Sequence, residues 1–165
     1  MGNQDRNMMQ GRNNILLVHP TTGEPTHFTL REFENRDGLA MVHSATLVAL
    51  EAVRADLCAF THEEVWLIIT KYGAVRTPAD NELLGAKYGW TDEGGKVSRD
   101  STHLAEYGGI AGDLVAVVVR TRERIAQVSL GRICRRYFDW VKDDYPDGHV
   151  HADKRGVIEP EGDPT

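Results

Sequence analysis

The run Asp113-Leu-Val-Ala-Val-Val-Val constrains the fold more than any other stretch of the chain. Its apolar residues are mostly valine, which favours an extended backbone, and they are too uniform to leave either face in water. A buried strand over residues 113–119 is therefore expected, and such a strand needs partner strands and a covering layer. Residues 64–72 (EVWLIITKY) are dense in β-branched and aromatic residues and read as a second buried strand, with Trp66 in its core. Tyr145-Pro-Asp-Gly148 is a turn signal, after which residues 149–155 (HVHADKR) read as a third strand.

The helical signals lie between these runs. Leu47, Leu50, Val53 and Leu57 recur at helical spacing, so a helix is expected over residues 44–58 with Ser44 as its cap. Ile125, Val128, Ile133, Tyr137 and Trp140 share one face of an amphipathic helix expected over residues 121–141, with Arg and Lys opposite. Gly131 weakens that helix by about 1 kcal/mol relative to alanine. Residues 27–33 form a short segment anchored by Phe28, Leu30 and Phe33. Residues 76–100 are rich in Gly and Asp and read as a long loop with one helical turn, the kind of loop that usually carries function. The order helix, strand, loop, strand, helix, strand predicts an α+β domain with a small sheet.

Composition narrows what such a domain can do. Its 165 residues suit a single domain, and 41% apolar with 27% charged residues is ordinary for a soluble protein. A formal net charge of −6 argues against nucleic acid and anionic membranes as partners. No window approaches the roughly 20 apolar residues of a membrane-spanning helix. The run at residues 15–18 is too short for a signal peptide core, so a chain that stays cytoplasmic when made is expected. Residues 1–13 and 157–165 have the composition of flexible tails, leaving 14–156 as the domain. Cys58 and Cys134 lie in apolar helical patterns and read as buried free thiols.

Two polar clusters interrupt this ordinary pattern. Residues two apart on a strand point the same way, so His149, His151 and Asp153 share one face of the third strand. Burying them unpaired is costly, whereas hydrogen bonds or a cation would satisfy them. His-x-His alone is weak evidence for a metal. The second cluster is Ser101-Thr-His103, followed by Asp113 at the head of its apolar strand, where an acid can also serve only to solvate the strand end. Together, His103, Asp113 and His151 come from separate elements and make a three-ligand set. Zinc in hydrolases commonly has such a set, with a fourth position left for water.

Five segments then carry a resemblance: HFTLREFE (27–34), RTPADNELLG (76–85), STH (101–103), GIAGD (109–113) and HVHADKRG (149–156). In this order they resemble the peptidase M15 family, which includes zinc D-Ala-D-Ala carboxypeptidases, dipeptidases and phage L-alanoyl-D-glutamate endopeptidases. The resemblance implies an antiparallel sheet with flanking helices and a zinc site, as in hedgehog and D-Ala-D-Ala peptidase-like folds. It puts His103, Asp113 and His151 on the zinc ligands and Arg76 on the arginine that pins substrate near the metal. Ser101 falls on the small polar residue before the histidine ligand, where it bonds substrate or holds the loop, and Asn81 looks like a loop-fixing side chain.

The chain departs from the family pattern twice. Nine residues separate His103 from Asp113 where the family usually has six, with 105–107 as the insertion. The acid three residues before the last histidine is replaced by Gly148. Asp147 and His149 flank that glycine and are the expected catalytic pair, His149 moving protons or stabilising the oxyanion. Asp153 is expected to orient His151. The function implied is zinc-dependent hydrolysis of a peptidoglycan stem peptide by a phage lysin or virion-borne wall hydrolase, acting after lysis or within a particle beside other virion proteins. The rival is a non-catalytic structural or binding protein on the same fold, which Gly148 favours.

Overall fold

The computed structural model describes residues 14–89 and 101–158. The expected tail at 1–13, most of that at 157–165, and Trp90 with the rest of its loop lie outside the described residues. The described chain begins with a hairpin of β1 (Leu16–Val18) and β2 (Pro25–Thr29), which no strong alternation announces. A 3-10 turn at Leu30–Phe33 follows and sends Phe28 and Phe33 into the core.

Next comes α1 (Ser44–Thr61), which buries Leu47, Leu50, Val53 and Leu57 as the spacing predicts. Its cap differs: His43, not Ser44, is the capping residue, and its Nδ1 accepts from the Ala45 amide at 3.1 Å. Strand β3 (Val65–Ile69) leads to α2 (Pro78–Tyr88), eleven helical residues where a loop with one turn was expected. Thr77 accepts from the Asp80 amide, Pro78 occupies the first turn and Gly89 closes the end at φ 69°. Those end signals outweigh a polar interior that carries little helical periodicity.

Strand β4 (Ala111–Val118) is the apolar run, begun two residues earlier than expected. The helix expected over 121–141 is cut to α3 (Gln127–Cys134), and Trp140–Lys142 forms a strand, β5. Two features explain the loss. Val118 and Arg122 close a turn after β4, with Arg122 at φ 63°. Gly131 then packs so closely that a Cβ would collide with Asp143, whose carboxylate Arg135 grips with two bonds of 2.8 Å. Strand β6 (Val150–Asp153) is shorter than residues 149–155, and Arg155–Val157 turns away as a 3-10 turn.

The four main strands form one antiparallel sheet in the order β3-β4-β6-β5. The fold class is α+β, as the element order predicts. Val65, Leu67, Ile69, Leu114, Ala116, Val150 and Ala152 face the helices and are all buried. Each such side chain contributes about 1.5–3 kcal/mol when fully buried, less for alanine. The alternate residues face the other way, and there β4 is not doubly covered: Val115 and Val117 are half-buried. Trp66 is 42% exposed on that face, with the Arg122 guanidinium 4.5 Å from its ring, so it is not a core residue.

Both cysteines are free. Cys134 is buried, which pushes its thiol up to about 12, and Cys58 is half-buried. Among the scattered histidines, His27 pairs with Glu51 at 2.9 Å and His43 caps α1, both structural uses. Among the described residues, no helix is long and apolar enough to cross a membrane.

Candidate metal centre

Asp113 on β4 and His151 on β6 are direct partners across the antiparallel ladder, so their side chains leave the open face side by side. His103 arrives from a loop stitched to the segment after β3. The Arg76 amide donates to the His103 carbonyl at 2.7 Å, and the Ala105 amide donates to the Arg76 carbonyl at 2.8 Å. That segment lies close because residue 73 is glycine: a Cβ there would stand 2.8 Å from the Thr70 carbonyl and 3.0 Å from Asp113 Cβ. Residues 105–107, the extra ones by the family pattern, form a 3-10 turn that ends at Gly108 and leaves β4 in place. Glu106 is exposed there.

Three ligand atoms converge. His103 Nε2 lies 2.9 Å from His151 Nδ1, and Asp113 Oδ1 is 3.1 Å from the first and 3.0 Å from the second. All three residues are buried, and they form a group able to hold a metal ion. Ligands about 2.0–2.2 Å from a tetrahedral zinc stand roughly 3.3–3.6 Å apart, so a small expansion of this triangle fits one.

The outer atoms decide what the inner ones can do. His103 donates its Nδ1 proton to the Ala74 carbonyl at 2.6 Å. His151 donates its Nε2 proton to Asp153 Oδ2 at 3.0 Å. Each imidazole thus turns a lone pair inward, against the other and against a carboxylate oxygen. Three lone pairs at 3 Å repel unless a positive charge sits among them. Without a cation, a proton must serve. Burial works against a charged His151, but Asp113 and Asp153 on either side outweigh it and raise its pKa. Burial lowers that of His103. Burial also opposes ionisation of Asp113, yet His103 and His151 overcome it and hold the carboxyl well below its usual range. The donor set therefore suits a divalent cation.

Asp153, which accepts from His151, is itself fully buried. Arg155 grips it through two bonds of 2.9 and 2.7 Å, and the Thr102 hydroxyl donates to it at 3.1 Å. Trp140 lies on that side, edge-on to His151 with ring centroids 5.3 Å apart and with the Arg155 guanidinium 4.4 Å from the centre of its ring.

His149 and Asp147 also come together. The His149 ring donates from Nδ1 to Asp147 Oδ1 at 2.6 Å, which leaves Nε2 3.8 Å from Asp113 Oδ1. Burial is the largest influence on Asp147 and works against its charge, but the bonds from His149 prevail and lower its pKa. Tyr145 stacks on His149 with centroids 4.0 Å apart. Gly148 between them is at φ 81°, and a Cβ there would meet the Arg124 guanidinium at 3.5 Å. A side chain at this position is thus strained and starts against a guanidinium.

Arg76 is buried beside the triangle, where its Nη2 donates to Asp113 Oδ2 at 3.2 Å. Ser101 holds its own loop, accepting from the His103 amide at 3.4 Å. Asn81 is buried on α2, its amide bonded to the Thr77 carbonyl. The sequence pattern alone did not single out Thr102, Trp140 or Tyr145. Thr102 adjoins a candidate ligand, which is a weak signal, whereas Trp140 fits a helical stripe and Tyr145 a turn signal, and neither marks a site residue. No protein-family model matches the chain, and no curated protein matches it.

Proposed function

We propose that the chain is a zinc-dependent peptidase that hydrolyses an amide bond in peptidoglycan stem peptides, of the D-Ala-D-Ala carboxypeptidase or L-Ala-D-Glu endopeptidase type. One observation carries the hydrolase part: His103, Asp113 and His151 turn three ligand atoms toward one another, with the outer nitrogen of each imidazole already committed. The substrate class rests on the five-segment resemblance to the M15 peptidases. The same resemblance supports a phage lysin or virion-borne wall hydrolase that meets the wall after lysis or in a particle.

His103, Asp113 and His151 would hold the metal. When bound, zinc supplies a water that ionises near neutral pH and polarises the carbonyl under attack. The chain's own proton carrier is His149. Asp147 fixes its Nδ1 proton and leaves Nε2 turned toward Asp113, so Nε2 takes a proton and returns it to the leaving amine. Tyr145 stacks on the ring and limits its rotation. Asp153 keeps His151 in the tautomer that exposes Nδ1.

A second reading, a non-catalytic binding or structural protein that keeps the metal for stability, is favoured by Gly148. The decisive experiment incubates the purified, zinc-loaded chain with defined muropeptides and reads products by mass spectrometry, beside elemental analysis of the chain and of His151→Ala. New peptide products from the wild type alone support the peptidase. Bound metal without cleavage supports the second reading, and no metal in the wild type removes both.

A further inference from the structure

We infer that Arg76 is a positioning residue for the Asp113 carboxylate and thereby sets how tightly the site holds its cation, in addition to any contact with substrate. This inference rests on the proposed metal site and deepens it.

The two oxygens of Asp113 have different partners. Oδ1 faces His103 Nε2 and His151 Nδ1 at 3.1 and 3.0 Å, whereas Oδ2 accepts from Arg76 Nη2 at 3.2 Å. Only Oδ1 belongs to the ligand triangle. A carboxylate can present either oxygen, or both, to a cation by rotating about its last torsion, and that freedom is lost on binding. The bond to Oδ2 removes it in advance, so Asp113 offers one oxygen, aimed inward, before any ion arrives. Arg76 is suited to this because its guanidinium stays charged when buried and bonds in a fixed direction.

The backbone strengthens the assignment. Arg76 is paired on both sides of Leu104, its amide donating to the His103 carbonyl and its carbonyl accepting from the Ala105 amide, and two residues earlier the Ala74 carbonyl takes the His103 Nδ1 proton. Gly73 in turn bonds the Asp113 amide through its carbonyl at 2.7 Å. Residues 73–76 therefore tie together two ligands that come from different elements, and the Arg76 side chain adds a bond from that segment to the carboxylate itself. Burial within hydrogen-bond reach of a ligand oxygen is what a group that tunes the metal needs, and losses from removing such groups run to about ten- to hundredfold in affinity.

The test is zinc affinity, measured by competition with a chromophoric chelator, for the wild type, Arg76→Met, Arg76→Lys and Asp113→Asn, and for Arg76→Met combined with Asp113→Asn. Far-ultraviolet circular dichroism of each metal-free variant checks the fold, and Arg76→Lys keeps the buried charge if Arg76→Met is lost to unfolding. The expected result is about a ten- to hundredfold weaker affinity in Arg76→Met, a smaller loss in Arg76→Lys, and no further loss when Arg76→Met is added to Asp113→Asn. Unchanged affinity in both Arg76 variants, with only KM raised, overturns the positioning role and leaves the hydrolase proposal standing. Equal losses with and without Asp113→Asn also overturn it, since Arg76 then acts on the fold at large. A wild type that takes up no zinc removes the metal site and this inference with it.

Discussion

The two faces of the four-stranded sheet are built from alternate residues of the same strands, yet they obey opposite rules. On the helix-backed face, Leu67, Leu114, Ala116, Val150 and Ala152 are buried apolar residues packed against α1 and α3. On the other, Trp66 is exposed, Val115 and Val117 are half-buried, and three buried polar residues gather: Asp113, His151 and Asp153. A strand that alternates in this way can place a costly polar cluster one residue from a dry core, because the pleat sends neighbouring side chains to opposite sides. Stability is concentrated on one face. The other carries the candidate site.

That contrast can be broken in three places. The largest effect is expected at the rim of the open face: His149→Ala lowers turnover of the cleaved muropeptide by two to four orders of magnitude, as loss of a proton carrier does, while zinc uptake stays normal. Equal turnover in the variant removes His149 from the chemistry. Next comes the division of stability, read from urea unfolding of the metal-free chain. Leu114→Ala costs about 2–5 kcal/mol, whereas Trp66→Gln, on the other face of the sheet, costs under about 1 kcal/mol. Comparable losses would show that the two faces share the load. The smallest effect is thermal. Free zinc at a hundred times its Kd adds about 2.7 kcal/mol to the wild type, a rise of roughly 5–10 °C in Tm, and adds nothing to His151→Ala. A rise in both would place the ion elsewhere.

Much of the helix-backed face was legible in the primary structure. The helix under Leu47, Leu50, Val53 and Leu57 and the strands around residues 65–69 and 111–118 follow from period and side-chain type, since a long apolar pattern leaves few ways to hide from water. Sequence and structure part where two patterns compete. Ile125, Ile133, Tyr137 and Trp140 fit a helical stripe, but the turn at Arg122 and the packing of Gly131 on Asp143 split the stretch into a short helix and an edge strand. Thr77-Pro78 and Gly89 announced α2, but the polar residues between them drew the stretch toward a loop. Trp66 is apolar yet exposed, because residue type does not say which face of a strand is covered.

The candidate site divides in the same manner. His103, Asp113 and His151 could be named from residue chemistry and the family likeness, and so could Asp147 and His149. The partner of each could not. That Ala74 takes the His103 proton, that Arg76 holds the far oxygen of Asp113, and that Tyr145 lies on His149 depend on contacts between residues far apart in the chain or hidden in a turn.

From its sequence alone, the protein is bound to an α+β architecture with an apolar strand at its centre and a small store of histidines and acids near the strand ends. The identities and local periods of the side chains are enough for that, because burial of apolar surface acts through averages over many residues. Only the tertiary structure decides that three lone pairs face one another within 3.1 Å and which protons are already spent on outer partners. Those facts depend on direction and on tenths of an ångström, and hydrogen bonding and ligand geometry are sensitive to both.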